Sequence, residues 1–153
     1  MIEKLRNSEL DISEKIRSVF QLSYKVEAKL LNAFDNFPPL NRPIEDYVDS
    51  NSEFFGYWIN EELAGVVEIC HGDSYTHIRS LVIDPLYFRQ GIASELIEFV
   101  LNRFDTNLFI VETGLGNKPA SKLYEKYGFK EIEQWDTDHG VRKVKFEKRI
   151  INK

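Results

Sequence analysis

Residues 84–94 read Asp-Pro-Leu-Tyr-Phe-Arg-Gln-Gly-Ile-Ala-Ser and join two segments of opposite periodicity. The residues before them, Thr76–Asp84, are rich in apolar and β-branched side chains, which predicts a strand that ends at Pro85. The residues after them, Gly91–Phe104, predict an amphipathic helix. Its apolar stripe consists of Ala93, Leu96, Ile97, Val100, Leu101 and Phe104. The stretch is therefore a strand–turn–helix junction.

A junction of this kind can hold an anion at the start of its helix. The first N–H groups of a helix have no partner within the helix and lie at the positive end of its dipole. Gly91 and Ala93 are small enough for a phosphate to approach the backbone, and Arg89 adds a positive charge. An ordinary connection between a strand and a helix explains the same residues equally well. The junction alone leaves both interpretations open.

A second junction follows directly along the chain. Leu108–Thr113 predicts a β-branched strand, and Pro119 suits the first turn of a helix. That helix carries Ala120, Leu123, Tyr124 and Tyr127 on one face and is expected to end at Gly128. A cofactor that lies across both junctions would meet Asn117 and Tyr124.

Together the two junctions resemble the GCN5-related N-acetyltransferase (GNAT) superfamily. Its cofactor loop reads Gln/Arg-x-x-Gly-x-Gly/Ala, and a later segment reads Asn-x-x-Ala-x-x-Leu-Tyr-x-x-x-Gly-Phe. Here residues 88–93 are Phe-Arg-Gln-Gly-Ile-Ala, and residues 117–129 are Asn-Lys-Pro-Ala-Ser-Lys-Leu-Tyr-Glu-Lys-Tyr-Gly-Phe. Phe88 departs from the usual Gln or Arg, and Arg89 follows one place later. Backbone amides do most of the pyrophosphate binding in this family, so binding is expected to survive the change.

The element order agrees with the resemblance over essentially the whole chain. Besides the two junctions, we expect a first strand, two helices, a hairpin and a final pair of strands, with Asp11 or Ser13 capping the first helix. Their bounds are Ile2–Leu5, a helix to about Phe34, Ile44–Ser50, Phe54–Ile59, Leu63–Cys70, Phe129–Trp135 and Val141–Ile150. The expected fold is a single α/β domain over residues 1–153. The resemblance implies a mixed, mostly antiparallel sheet of six to seven strands with a central splay, flanked by about four helices.

The resemblance implies acetyl-CoA as co-substrate and a primary amine as acceptor, which attacks directly in a ternary complex. Main-chain groups of Leu81 and Ile83 would pair with the pantetheine arm. The backbone amides that would hold the pyrophosphate are those of Arg89, Gln90, Gly91, Ile92, Ala93 and Ser94. Asn117 would contact the end of the pantetheine, and Tyr124 would lie beside the sulfur.

Two roles in the chemistry need side chains. An alkyl ammonium with a pKa near 10.4 must lose a proton before it attacks, and the leaving thiolate is helped by a hydroxyl donor. Tyr124 is the candidate donor, although a core aromatic residue would fit the same helix stripe. Glu112 is the first candidate base, with Glu68 or a chain of water molecules as alternatives. Glu112 fits an ordinary exposed strand carboxylate as well.

The acceptor is expected to contact residues 12–55 and the last hairpin. Acidic and aromatic side chains in these stretches suit a cationic small molecule or peptide amine. They are Asp46, Tyr47, Asp49, Phe54, Phe55, Trp58, Trp135, Asp136 and Asp138. Two other classes remain: a module of the same fold that binds acyl-CoA without turnover, and a structural α/β domain.

Composition narrows the partners. The net charge is −5 overall and +5 in the last 13 residues, so residues 1–140 carry about −10, which disfavours nucleic acid. No stretch approaches a membrane span or a signal peptide, so the cytoplasm is expected. Cys70, the one cysteine, is expected to be a small buried residue. No metal is expected, because His71, Asp73 and His77 lack a ligand spacing. Homodimers through the last strands are common in the family, which makes a homodimer the assembly to test.

Overall fold

The computed structural model describes residues 1–33 and 36–151 and contains one seven-stranded mixed sheet. Alternating apolar residues form the strands, whose order across the sheet is β1-β2-β3-β4-β5-β7-β6. Their bounds are β1 Ile2–Leu5, β2 Glu53–Ile59, β3 Glu62–His71, β4 Tyr75–Ile83, β5 Leu108–Gly114, β6 Lys130–Asp136 and β7 Arg142–Arg149. The predicted α/β class and strand number are confirmed.

Four α-helices flank the sheet in the predicted order. Their bounds are α1 Leu10–Leu30, α2 Glu45–Val48, α3 Ile92–Arg103 and α4 Lys118–Lys126, with short 3₁₀ turns at Pro38–Asn41 and Pro85–Tyr87. The predicted cap of α1 is wrong, because Glu9 occupies that position and the buried Ser13 hydroxyl instead donates to the Asn7 carbonyl. The predicted helix end at Phe34 lies outside the described residues.

The sheet opens between β4 and β5. These strands pair in parallel only from Tyr75 opposite Leu108 to Ile78 opposite Val111. Beyond that point residues 79–83 of β4 and residues 112–114 of β5 diverge, and we call this gap the splay. The predicted central splay is therefore confirmed. A bulge lies where it begins, because the register passes from Ile78 to Ser80 and leaves Arg79 opposite no residue of β3.

Helices cover both faces of the sheet, and each face has its own apolar core. Helix α1 packs Ile16 and Phe20 against Val66 and Val82. On the other face α3 packs Leu96, Ile97 and Val100 against Phe55, Val67 and Phe109. Each fully buried side chain of this size contributes about 1.5–3 kcal/mol. The two cores fix the β4-α3-β5 crossover, which opens the splay on the side of the α3 N-terminus.

Two details of the sheet differ from simple expectation. Strand β7 lies between β5 and β6. The second strand of the last hairpin therefore pairs with β5, and its first strand, β6, forms the edge of the sheet. The side chain of Cys70 is exposed rather than buried, because it lies near the end of β3, beyond the cover of the helices.

Candidate active site

A cavity of about 590 Å³ occupies the splay. Strands β4 and β5, the N-terminal turns of α3 and α4, and the second half of α1 surround it. The predicted site residues that line it are Leu81, Ile83, Arg89, Gly91, Ile92, Ala93, Ser94, Glu112, Asn117 and Tyr124. Gln90 and Glu68 are not part of this lining. The fold thus brings most of the two junctions together around one space.

The N-terminus of α3 faces this cavity. Gly91 caps the helix with a φ of 79°, a left-handed conformation that favours glycine. The first amide with a partner in the helix belongs to Glu95, which donates to the Gly91 carbonyl at 3.0 Å. The amides of residues 92–94 therefore have no carbonyl of the helix to bind. This set of neutral donors at a positive helix end fits a pyrophosphate.

The free edge of β4 forms one wall. Leu81 and Ile83 lie beyond the last residue that pairs with β5, and the Ile83 N–H donates to the Ser23 hydroxyl at 3.4 Å. Main-chain groups on this edge can pair with an extended ligand, as a strand would. The bulge at Arg79 lies at the inner end of the same edge and lines the cavity.

Tyr124 connects the core with the cavity. Its ring packs 5.7 Å from the Phe129 ring and 6.0 Å from the Phe146 ring, and the residue is 4% exposed. Within the described ranges no hydrogen bond engages its hydroxyl, and the residue lines the cavity. Burial, and then the charge of Glu27, raise the pKa of Tyr124. The phenol therefore keeps its proton and can serve as a hydrogen-bond donor, while its ring serves the core.

Glu112 also lines the cavity, but it has a partner. Its carboxylate lies 3.7 Å from the Lys143 Nζ, and its side chain is 33% exposed. This carboxylate interacts electrostatically with His77. Burial lowers the pKa of His77, and the negative charge of Glu112 opposes that shift. Glu112 is thus a partly solvated carboxylate in contact with a lysine.

Glu68, the second candidate base, is engaged elsewhere. Its side chain is 1% exposed and accepts hydrogen bonds from Arg42 Nη1 at 2.8 Å and Nη2 at 3.0 Å. Burial alone would raise the pKa of Glu68, but the hydrogen bonds and charge of Arg42 outweigh it and the pKa is lowered. A carboxylate held in this way is a poor proton acceptor.

A third carboxylate, which the sequence reasoning missed, lies inside the cavity. Glu27 of α1 accepts a hydrogen bond from Asn117 Nδ2 at 3.0 Å and one from the Thr113 hydroxyl at 3.4 Å. Burial raises the pKa of Glu27, although both hydrogen bonds lower it. The helical spacing could have identified it, because Glu27 lies on the same face of α1 as the buried residues Ile16 and Phe20. A carboxylate on the buried face of a helix indicates a functional position.

The expected acceptor surface is partly wrong. Tyr47, Phe54 and Phe55 are buried in the two cores and do not line the cavity, so they do not form its acceptor surface. Asp136 pairs with Arg142 at 2.8 Å. The cavity wall on the α1 side is formed instead by Tyr24, Phe37 and Pro39, among others.

Residues 1–33 and 36–151 contain no group of three or more His, Cys, Asp or Glu side chains arranged to hold a metal ion. None of the helices in these ranges combines the length and apolar character needed to cross a bilayer.

A family model and two sequence relatives match this chain. A family model described as "Acetyltransferase (GNAT) domain" matches residues 23–150. The UPF0157 protein YqkA of Bacillus subtilis (strain 168) is 34% identical over 142 residues, which cover 92% of this chain and 41% of that protein. Streptothricin acetyltransferase of Escherichia coli is 30% identical over 89 residues, 56% of this chain and 51% of that protein. The chain thus spans about half or less of the length of these relatives.

Solved structures agree on the fold. The ribosomal-protein-S18-alanine N-acetyltransferase of Escherichia coli superposes with a TM-score of 0.76 at 18% identity, covering 98% of this chain and 93% of that one. The PaiA N-acetyltransferase of Thermoplasma acidophilum, in complex with coenzyme A, gives a TM-score of 0.66 at 19% identity, covering 98% and 99%. With the splay, the α3 N-terminus and the family match in agreement, this chain belongs to the GNAT family of acetyltransferases.

Proposed function

We propose that this protein transfers an acetyl group from acetyl-CoA to a primary amine, by direct attack of the amine within a ternary complex. The observation that carries the proposal is the splay cavity itself. It joins a helix N-terminus suited to a pyrophosphate, a free strand edge suited to an extended arm, and a buried tyrosine hydroxyl without a partner in the described chain. A purely structural domain has no use for this combination.

The chain supplies distinct groups for each part of the cofactor. The amides of residues 92–94 hold the pyrophosphate, with those of residues 89–91 beside them in the loop, and Arg89 adds charge. Leu81 and Ile83 pair through their main chains with the pantetheine arm, and Asn117 contacts its end. Acetyl-CoA supplies the activated acyl group when it is bound.

The reaction needs a donor for the carbonyl oxygen and a donor for the sulfur. Arg79 lines the cavity at the bulge and has no partner residue on β3, so its amide is the candidate donor to the oxygen as negative charge develops. The Tyr124 hydroxyl donates to the leaving thiolate. Glu112, predicted as the base, lines the same cavity, as does Glu27. Either carboxylate can accept the amine proton.

The acceptor is a cationic amine of a small molecule or peptide. Carboxylates of Glu27 and Glu112 border the cavity and attract a positive charge, and the aromatic ring of Tyr24 lies beside them. The two named relatives with defined acceptors act on an antibiotic, streptothricin, and on a protein alanine. Both classes of amine therefore belong in a substrate panel.

A thiol-release assay tests the proposal. Acetyl-CoA is incubated with the protein and a panel of amino acids, polyamines, streptothricin-type and aminoglycoside antibiotics, and peptides with a free N-terminal alanine. The proposal expects CoA release above background with at least one amine, and the acetylated amine by mass spectrometry. A protein whose melting temperature rises with acetyl-CoA but which acetylates none of them would be a binding module without turnover.

No effect of acetyl-CoA on the melting temperature would refute both coenzyme A functions at once. Sedimentation of the same protein with and without acetyl-CoA tests the expected homodimer. The single-domain organisation of residues 1–153 and a cytoplasmic location stay predictions.

A further inference from the structure

Glu27 occupies a special position in the cavity. Both of its hydrogen bonds, from Asn117 and Thr113, go to Oε1, and within the described part of the chain Oε2 accepts none. The residue lines the cavity, and neither of these donors occupies its second oxygen. A carboxylate oriented by two donors through one oxygen is fixed in place while its other oxygen stays available.

The charge of Glu27 reaches both tyrosines of the cavity. Its carboxylate raises the pKa of Tyr124 and also that of Tyr24, in each case after burial as the larger cause. Glu27 and Tyr124 line the same cavity, and the two residues interact electrostatically. No comparable influence of Glu112 on Tyr124 is present.

We propose that Glu27, rather than Glu112, is the carboxylate that receives the proton of the acceptor amine. The inference rests on the proposed acetyl transfer. Glu112 is a third exposed and its carboxylate lies 3.7 Å from Lys143 Nζ, so it is already engaged by a positive charge and open to solvent. Glu27 is instead held by two neutral donors, Asn117 Nδ2 and the Thr113 hydroxyl.

The proton and electron balance of the step closes. The ammonium first loses one proton to solvent. The neutral amine nitrogen then forms a bond to the thioester carbonyl carbon, the carbonyl π electrons move onto the oxygen, and a second N–H proton passes to Glu27 Oε2. The C–S bond then breaks, and the sulfur leaves with the electron pair as a thiolate. With a pKa near 8.5 for a thiol and a raised one for Tyr124, the tyrosine donates a hydrogen bond rather than its proton. The proton on Glu27 leaves with the thiol product or to solvent.

The titration of Glu27 depends on several neighbours. The ionisable groups that line the cavity with it include Tyr24, Arg79, Glu112, Tyr124, His139 and Lys143. Among these, Lys143 lowers the pKa of Glu27, while burial raises it by more. The net rise moves Glu27 towards the pH range in which a general base is effective.

The test compares kcat against pH for the wild type, Glu27→Gln and Glu112→Gln, with the amine found in the thiol-release assay. Gln keeps an acceptor oxygen for Asn117 and Thr113, and an acetyl-CoA-induced rise in melting temperature checks that it folds. Glu98→Gln, an exposed α3 residue outside the cavity, is the matched control and should match the wild type. Glu27→Gln should lose about a hundredfold or more in kcat together with the acidic limb of the profile. Glu112→Gln should keep that limb and lose at least tenfold less.

A second variant keeps the carboxylate and moves its pKa. Thr113→Val removes a hydrogen bond that stabilises ionised Glu27, so the acidic limb should move upward by about 0.4–1 pH unit. An acidic limb that survives in Glu27→Gln, disappears in Glu112→Gln or stays in place in Thr113→Val overturns the assignment. If the wild type acetylates no amine, the function itself fails and this inference fails with it. An active wild type with an equally active Glu27→Gln refutes the inference alone.

Discussion

Arg42→Ala should destabilise this fold more than any surface change of the same size. Arg42 binds the Glu68 carboxylate through both terminal nitrogens, and the two side chains are 19% and 1% exposed. Its guanidinium also lies 4.2 Å from the centre of the Tyr47 ring. Removing one partner of a buried ion pair costs about 3–5 kcal/mol, because the other charge stays buried.

The lower end of that range applies here. Arg79 Nη1 remains 3.9 Å from Glu68 Oε2, and the Ser80 hydroxyl still donates to Glu68 at 3.2 Å. We therefore expect a loss of about 3 kcal/mol at pH 7.5, equivalent to about 6–12 °C in melting temperature for a domain of this size. Arg149→Ala removes an exposed arginine from a surface pair with Glu147 and should cost less than about 1 kcal/mol.

The pH dependence has a definite sign. In the wild type the folded-state pKa of Glu68 is lowered, so its contribution to stability is present above the unfolded-state pKa and is lost as the pH falls through the folded-state pKa. In Arg42→Ala the burial of Glu68 dominates and raises the pKa of its carboxyl group. At low pH Glu68 is then protonated, which removes the cost of a buried unpaired charge from the folded variant. The difference in unfolding free energy should therefore narrow by about 1 kcal/mol or more between pH 7.5 and pH 4.5.

Urea denaturation at the two pH values measures both quantities. A loss below about 1 kcal/mol at pH 7.5, or a loss that is the same at both pH values, would refute the reasoning. The first result would mean that the ion pair is no more than a surface contact. The second would mean that the lost stability came from the packing of Arg42 on Tyr47 and not from charge.

Three further predictions concern the cavity. Tyr124→Phe should lower kcat about ten- to a hundredfold and leave the KM for acetyl-CoA within threefold, because only the thiolate loses a donor; an unchanged kcat contradicts this role. Gly91→Ala and Gly140→Ala both place alanine at positive φ with open space around the new Cβ. Each should lower the free energy of unfolding by about 1–2 kcal/mol in thermal denaturation. Only Gly91→Ala should also weaken acetyl-CoA binding, measured by calorimetry. Asn117→Ala should lower the free energy of unfolding by about 1 kcal/mol, because it removes the helix cap that accepts from the Ala120 N–H. Lys122→Ala, an exposed substitution in α4, is the control, and a smaller loss in Asn117→Ala than in this control would refute the prediction.

Local patterns predicted the architecture of the site well. The strand-to-helix junction at residues 84–94 and the start of α4 at Pro119 depend on neighbours in sequence, so periodicity and turn chemistry are enough to find them. The splay between β4 and β5 followed from the family resemblance. Tyr124 was found from its motif, and in the structure its ring packs in the core while the residue lines the cavity.

Long-range pairings could not be predicted in this way. Arg42 and Glu68 are 26 residues apart, and Glu27 meets Asn117 across 90 residues. Which polar groups meet is decided by how α1 packs on the sheet, and a single sequence does not carry that information. The same limit hid the insertion of β7 between β5 and β6 and made Tyr47 and Phe54 look like acceptor contacts.

The short pairing of β4 with β5 has a mechanical consequence. Four residues of each strand join one half of the sheet, β1 to β4, to the other half, β5 to β7. A pantetheine arm along Leu81 and Ile83 would fill the gap between β4 and β5 and contact both halves of the sheet. The bound cofactor would then stabilise the junction between the two halves. Amide hydrogen exchange in β5 and β7 should then slow when acetyl-CoA binds, although these strands lie beyond the β4 edge that the arm contacts.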